Sequence, residues 1–168
     1  MWYVMQVRTG REGETVSMIR HYVADSSLGE CFLPRYEQKK KYAGAWHIVQ
    51  ALLFPGYVFV ETEKIEKFYM ELKQVPELTK ILGTGEKWTS IIDEDLRVLE
   101  QLLNEERLVA MSTGYMEGDQ VMILEGPLEG LETVIRKVDR HKRTALVEMH
   151  MFGRVQEVAV GLEVVRRV

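Results

Sequence analysis

The residues best suited to bind a ligand form a short basic segment in the last quarter of the chain. Residues 136–143 (RKVDRHKR) hold five basic residues and one Asp, a net charge of +4. The stretch 111–168 has 8 basic and 9 acidic residues, a net of −1, so the remainder of that stretch carries −5. Cations segregated in this way suit contacts with the phosphates of structured RNA. A solvated turn that aids solubility is an equal alternative.

The sequence predicts exposure for only some of these cations. Arg140, Lys142 and Arg143 lie at a predicted hairpin tip and should be exposed in either strand register, whereas alternation leaves the direction of Arg136 and Lys137 open. A second basic turn at residues 39–41 (KKK), with Tyr42 and Trp46 nearby, could likewise contact nucleic acid. There we favour a solvated turn.

Catalytic and metal-binding patterns are weak. The sequence has no Gly-x4-Gly-Lys-Ser/Thr motif and no helix-opening G-x-G-x-x-G, and its four histidines show no i, i+3 or i+4 spacing. Cys31 is interpreted as a small residue of a strand rather than a nucleophile. The triplet at residues 93–95 (DED) is better explained as a helix start than as a metal site. We therefore expect no enzyme, no cofactor and no metal.

The composition places the chain among ordinary globular proteins. Hydrophobic residues make up 46% and charged residues 29%, and a net charge of −4 excludes a uniformly basic nucleic-acid coat. One cysteine cannot close an internal disulfide. The first residues lack the basic segment of a signal peptide, and uninterrupted apolar runs of about four residues are far too short for a membrane span. We expect a cytoplasmic protein without a membrane partner.

Hydrophobic periodicity predicts a mixed α and β first part and an all-β final third. Its expected strands and helices up to residue 113 are strand 2–7, helix 13–24, strand 31–37, basic turn 38–44, strand 46–54, strand 57–61, helix 63–74 capped by Thr62, a loop or strand at 81–88, and a helix capped by Asp93. After Gly114, short strands at 121–124, 132–138, 144–151 and 156–160 predict a small closed barrel.

An aromatic set surrounds Pro55-Gly56 and could form a docking surface. Its members are Trp2, Tyr3, Phe54, Tyr57 and Phe59. Alternation puts Tyr57 and Phe59 on one face of a strand and two valines on the other, so both faces are bulky. Plain core packing and a groove for a partner helix are both open interpretations.

Together these segments resemble the NusG family of transcription elongation factors. Residues 2–4 (WYV) and 54–60 (FPGYVFV) resemble the signature of its N-terminal domain, and residues 117–121 (EGDQV), 126–130 (GPLEG) and 152–154 (FGR) resemble its KOW domain. The resemblance implies an α+β chain. It comprises an N-terminal antiparallel sheet flanked by helices at residues 1–106, a linker at 107–113 and a five-stranded, SH3-like KOW barrel at 114–168.

The resemblance also implies partners for the first domain. Such domains dock on the clamp helices of the RNA polymerase β′ subunit, and the matching polymerase-binding residues are Trp2, Tyr3, Phe54, Pro55, Gly56 and Tyr57. Specialised members touch the non-template DNA strand from the strand-to-helix region, where this chain has Arg8, Arg11, Arg20 and His21.

The KOW domain sets the expected function. Housekeeping members use it to contact ribosomal protein S10 or the terminator Rho, but the basic tip here resembles LoaP, the specialised antiterminators of the family that recognise an RNA hairpin. The expected RNA-binding residues are Arg136, Lys137, Arg140, Lys142, Arg143 and Arg154. We therefore expect a monomeric, operon-targeted antiterminator. A general elongation factor and a translation-side KOW protein are the alternatives.

Overall fold

The computed structural model describes residues 1–23, 29–74, 88–151 and 153–166. Their contacts separate two units, Met1–Leu33 with Phe54–Asp93, and Pro34–Leu53 with Glu94–Val168. The expected end of the first helix at residue 24 and most of the loop or strand at 81–88 lie outside the described residues. The domain limits at residues 106 and 114 stay a prediction.

The first unit contains one sheet and its helices. Its elements are β1 (Trp2–Gln6), α1 (Glu12–Tyr22), β2 (Glu30–Phe32), β5 (Tyr57–Glu61), α2 (Ile65–Lys73) and β6 (Thr89–Ser90). The strand order is β2-β5-β1-β6, and each neighbouring pair is antiparallel. The Thr62 hydroxyl accepts the N–H of Lys64 at 3.0 Å just before α2 begins.

Within the described residues of this unit, helices α1 and α2 pack on one face of its sheet. Met5, Val58 and Val60 face them, and the helices contribute buried residues at helical spacing, Val16 and Ile19 from α1 and Phe68 and Leu72 from α2. The predicted alternation in β5 is confirmed, because Val58 and Val60 lie on the helix face while Tyr57 and Phe59 lie on the other.

The second unit contains a long hairpin and a five-stranded sheet. Its elements are β3 (Arg35–Tyr42), β4 (Ala45–Leu52), α3 (Asp93–Leu102, which starts at the edge of the first unit), β7 (Leu108–Val109), β8 (Ser112–Glu117), β9 (Gln120–Glu125), a 3-10 turn (Glu132–Val134), β10 (Ile135–Asp139), β11 (Thr144–Met151) and β12 (Arg154–Val164). As predicted, the acidic triplet opens a helix. No helix of the described ranges is long and apolar enough to cross a membrane.

The basic turn expected at residues 38–44 is wrong. Lys39, Lys40 and Lys41 belong to β3, where they pair with β4, and the turn consists of Ala43 and Gly44 alone. Both turn residues have positive φ, 51° and 78°, which is the geometry of a tight two-residue hairpin. The ladder to β4 therefore extends the strand through residues that polarity alone assigns to a turn.

The expectation that the final strands form a closed barrel is also wrong. The strand order is β10-β11-β12-β8-β9, with β12 and β8 parallel, and the edge strands β9 and β10 do not pair with each other in the described part of the chain. The 3-10 turn packs on β9 and β11, and a cavity of about 680 Å³ lies between the edges. The result is a curled, open sheet rather than a closed barrel.

Candidate functional site

The turn between β10 and β11 presents cations to solvent. Arg140 and Lys142 are exposed there, and the backbone N–H of Lys142 donates to Asp139 Oδ1 at 2.9 Å. This hydrogen bond, with the nearby charges of Lys142 and His141, lowers the pKa of Asp139. Asp139 is therefore a carboxylate at neutral pH, and it fixes the shape of the turn.

A β-bulge resolves the direction of the two cations that alternation leaves open. The register shifts between Ile135 and Lys137, and both Arg136 and Lys137 are exposed. Arg136 is also held in place, since its Nη2 lies 2.7 Å from Glu148 Oε2 and its Nη1 donates to the Thr133 carbonyl at 2.5 Å.

Arg143 connects this turn to the β3–β4 hairpin. Its side chain is only 26% exposed, its Nη1 lies 3.2 Å from Glu163 Oε1, and its guanidinium carbon lies 3.7 Å from the ring centre of Trp46. Glu163 also pairs with Lys39 of β3. Two basic segments about a hundred residues apart thus meet around one carboxylate, which no local spacing in the sequence indicates.

The remaining cations divide by position. Lys40 and Lys41 are exposed near the hairpin turn, where the rings of Tyr42 and His47 stack at 3.8 Å. Arg154 opens β12 opposite Met151, so the eight-residue strand β11 separates it from the turn by about 23 Å. Arg154 is therefore not part of the surface formed by the β10–β11 turn.

The residues expected to bind polymerase fall into a buried group and a surface group. Trp2 and Phe54 are each 4% exposed. Trp2 meets Phe32 edge-on at 5.0 Å, and Phe54 and Phe32 both lie against Phe59, at 5.4 and 5.7 Å. Trp2 and Phe54 are therefore core residues of the first unit.

The surface group comprises Tyr3, Pro55 and Tyr57. Pro55 is exposed and both tyrosines are half-buried. The β1–β5 register places Tyr3 on the helix face of the sheet and Tyr57 on the opposite face, since Tyr3 pairs with Val60 and Gln6 with Tyr57. The structure therefore does not bring the two tyrosines onto one face.

A buried carboxylate that the sequence did not single out holds the Pro55-Gly56 turn. Glu12 Oε2 accepts the N–H of Gly56 at 3.0 Å, and Oε1 accepts the N–H of Gly10 at 2.5 Å. Burial raises the pKa of Glu12, but these two backbone N–H groups and its own outweigh that effect and lower the pKa overall. The ionised side chain therefore ties the start of α1 and the loop before it to the turn.

The expected DNA-binding residues around α1 are partly engaged within the unit. Arg8 and Arg11 are exposed, and Arg11 Nε lies 3.2 Å from Glu14. Arg20 donates twice to the Cys31 carbonyl, at 2.6 and 3.1 Å, which ties α1 to β2. The ring of His21 meets the ring of Tyr22 edge-on at 4.7 Å.

Cys31 has the wrong environment for a nucleophile. The thiol is buried, and burial raises its pKa to about 12 despite the nearby charge of Arg20. It is therefore protonated at neutral pH. Within the ranges that the structure covers, no three His, Cys, Asp or Glu side chains are grouped to hold a metal ion.

Comparison with known proteins gives consistent matches. A family model described as NusG, "Transcription termination factor nusG", matches residues 1–100. The "Transcription termination/antitermination protein NusG" of Haemophilus influenzae is 29% identical over 176 residues, and its counterpart in Pasteurella multocida is 26% identical over 172. Each alignment covers 99% of this chain and 94% of the relative. The solved structure "Domain interaction in Thermotoga maritima NusG" covers 96% of this chain and 92% of its own, with a TM-score of 0.53 and 25% identity.

Proposed function

The chain belongs to the NusG family of transcription factors, and on that premise we propose that it is an operon-targeted transcription antiterminator of the LoaP type. Residues 1–106 form the domain that binds the β′ clamp helices of RNA polymerase. Residues 114–168 form a KOW domain that binds a hairpin in the nascent RNA. The protein is a non-enzymatic, cytoplasmic monomer.

The cationic β10–β11 turn carries this proposal. Lys137, Arg140 and Lys142 are exposed on one short segment, and Asp139 fixes the turn that presents them. The remainder of residues 111–168 is net acidic, which directs an RNA backbone to this turn and away from the other surfaces. Charge and shape dominate the recognition of structured RNA.

The polymerase contact rests on the Pro55-Gly56 turn and the tyrosines near it. Pro55 and Tyr57 provide accessible apolar surface, while the buried rings of Trp2 and Phe54 keep that surface rigid. Tyr3 lies on the other face of the sheet, in β1 between β5 and β6, and would contact polymerase only from that face. Non-template DNA would be met by Arg8, Arg11 and His21 of the neighbouring segment, with Arg20 already bonded to Cys31.

Two weak binding sites, one for polymerase and one for RNA, give selective binding when one chain carries both. Once polymerase holds the first domain, the effective concentration of the KOW domain near the emerging transcript is high. A suitable RNA hairpin can then retain the protein on one operon, whereas a transcript without that hairpin releases it.

The test is single-round transcription through an intrinsic terminator with the cognate polymerase. Templates carry or lack the native upstream leader, and the protein is the wild type, the double variant Arg140→Glu with Lys142→Glu, or the control Arg97→Glu. Arg97 is exposed on α3, so the control also reverses charge in the second unit. We expect read-through that requires the leader and is lost in the double variant alone. Read-through in the absence of the leader contradicts the proposal.

A general elongation factor is the second candidate, and one observation favours it. Arg136 and Arg143, two of the five cations in the turn region, are already paired with Glu148 and Glu163. A turn partly neutralised in this way suits a domain that contacts a protein such as S10 or Rho. Altered pausing that occurs with or without the leader, and that persists in the double variant, would support this candidate.

A further inference from the structure

We propose that a cavity beside the cationic turn binds one unpaired nucleotide of the RNA. The inference rests on the proposed function, because Lys137 and Lys142 belong to both the turn and the cavity. The cavity has a volume of about 320 Å³, near the lower end of the roughly 300–1,000 Å³ of small-ligand pockets. It suits a single nucleotide rather than a larger group.

The floor of the cavity is one face of three neighbouring strands. Leu146 of β11 pairs with Lys137 of β10 on one side and with Ala159 of β12 on the other, and Thr144 pairs with Asp139. Paired residues in an antiparallel sheet point to the same face. Small side chains at Ala159 and Thr144 and one leucine therefore make a shallow, largely apolar floor.

Strand β3 supplies the wall. It crosses β12 at Gly161, where an added Cβ would overlap the carbonyl oxygen of Glu37 and the sulfur of Met111. This close approach places Tyr36 and Gln38, which lie on either side of Glu37 and on one face of β3, against the cavity. The Glu163 pairs with Lys39 and Arg143 keep β3 and the turn together.

These groups match the parts of a nucleotide. The Tyr36 ring and the apolar floor can sandwich a base, the Gln38 amide and the Asp139 carboxylate can bond to its edge, and Lys137 and Lys142 can hold its phosphate. Bases inside a duplex are stacked and cannot enter, whereas a bulged base can turn outward onto an aromatic side chain. The occupant is therefore an unpaired nucleotide next to a stem held by the turn.

The experiment uses the full chain and two synthetic RNA hairpins with the same loop. One stem is fully paired, and the other has one bulged nucleotide, the fluorescent base 2-aminopurine. The variants are Tyr36→Ala, Tyr36→Phe and Gln38→Ala, and the control is Tyr115→Ala, which removes another half-buried tyrosine of the second unit. Thermal melts establish that each variant is folded.

We expect the wild type to bind the bulged hairpin about tenfold more tightly than the paired one, with a change in 2-aminopurine emission. Tyr36→Ala removes both effects and leaves the paired hairpin unchanged, Gln38→Ala weakens the preference, and Tyr36→Phe and Tyr115→Ala keep it. Equal affinity for the two hairpins, or equal weakening of both by Tyr36→Ala, overturns the pocket. A protein that binds neither hairpin, or binding that survives charge reversal at Arg140 and Lys142, overturns the RNA-binding function as well.

Discussion

Replacing Glu12 by Gln tests whether a buried carboxylate organises the Pro55-Gly56 turn. Each oxygen accepts one backbone N–H, from Gly10 or from Gly56. An amide of the same shape keeps one acceptor and turns an NH2 group toward the other N–H, so one of the two bonds is lost. A hydrogen bond to a charged group contributes about 1.5–3 kcal/mol, and the surviving bond weakens because its acceptor becomes neutral.

These terms give a free-energy loss of about 3 kcal/mol for Glu12→Gln. In a chain of this size, that loss corresponds to a fall in Tm of roughly 6–12 °C. Denaturant unfolding followed by tryptophan fluorescence measures the loss, since Trp2 is buried in the same unit. The control is Glu14→Gln, which breaks only a half-exposed ion pair with Arg11 and should cost less than about 1 kcal/mol.

The pH dependence of the free energy of unfolding is a second test of this prediction. The pKa of Glu12 is lower in the folded state than its ordinary value of 4.5, so the unfolded chain binds more protons between those two pKa values. The stabilisation is complete above the unfolded pKa and is lost as the pH falls through the folded pKa. The difference between the wild type and Glu12→Gln should therefore be constant near neutral pH and shrink in acid. A loss below about 1 kcal/mol at neutral pH, or a stability difference between the two proteins that stays the same in acid, refutes the reasoning.

Three further predictions follow from single positions. Gly56 has a φ of +87°, so Gly56→Ala should cost about 1–3 kcal/mol in denaturant unfolding, whereas Gly13→Ala, in open space on α1, should be neutral or stabilising by up to about 1 kcal/mol. Glu163→Gln releases the charges of Lys39 and Arg143, so binding of the fully paired hairpin should strengthen at low salt and depend more steeply on salt in titrations; an unchanged slope would contradict this. Cys31 should resist iodoacetamide in the native protein at pH 8 and react after unfolding, and rapid native labelling would show that the thiol is accessible.

The sequence predicts the helices and strands of this chain where burial selects apolar residues at a regular spacing. Helix α1 follows from apolar spacing, because one of its faces lies in the core of the first unit. Strand β5 follows from its run of β-branched and aromatic residues, because Val58, Phe59 and Val60 are all buried. Strand β3 reads RYEQKKKY and has no such period, so its existence depends on pairing with β4 and β7, which only the fold brings beside it. A polar segment is therefore mistaken for a turn when its stabilising partner is another strand.

Part of the candidate site can likewise be predicted from the sequence, and part depends on the fold. Composition suffices to find the cationic turn, because five basic residues in eight are visible without a structure. The convergence of Lys39 and Arg143 on Glu163 spans 124 and 20 residues and leaves no local pattern. The aromatic signature is found by type, but the sequence cannot separate Trp2, which is core, from Tyr57, which reaches the surface, since both roles select large apolar rings.

The pairing of the cations decides how the turn would bind RNA. Arg136 is matched by Glu148, and Arg143 shares Glu163 with Lys39, so both arginines order the turn and add less charge to it than the free cations do. The net attraction then comes from Lys137, Arg140 and Lys142. Three phosphate contacts imply a slope of about −2 to −3 in a plot of log affinity against log salt, a modest electrostatic term. A ligand held by so few phosphates must gain its selectivity from shape and stacking, which is why an unpaired base beside the turn matters more than further charge.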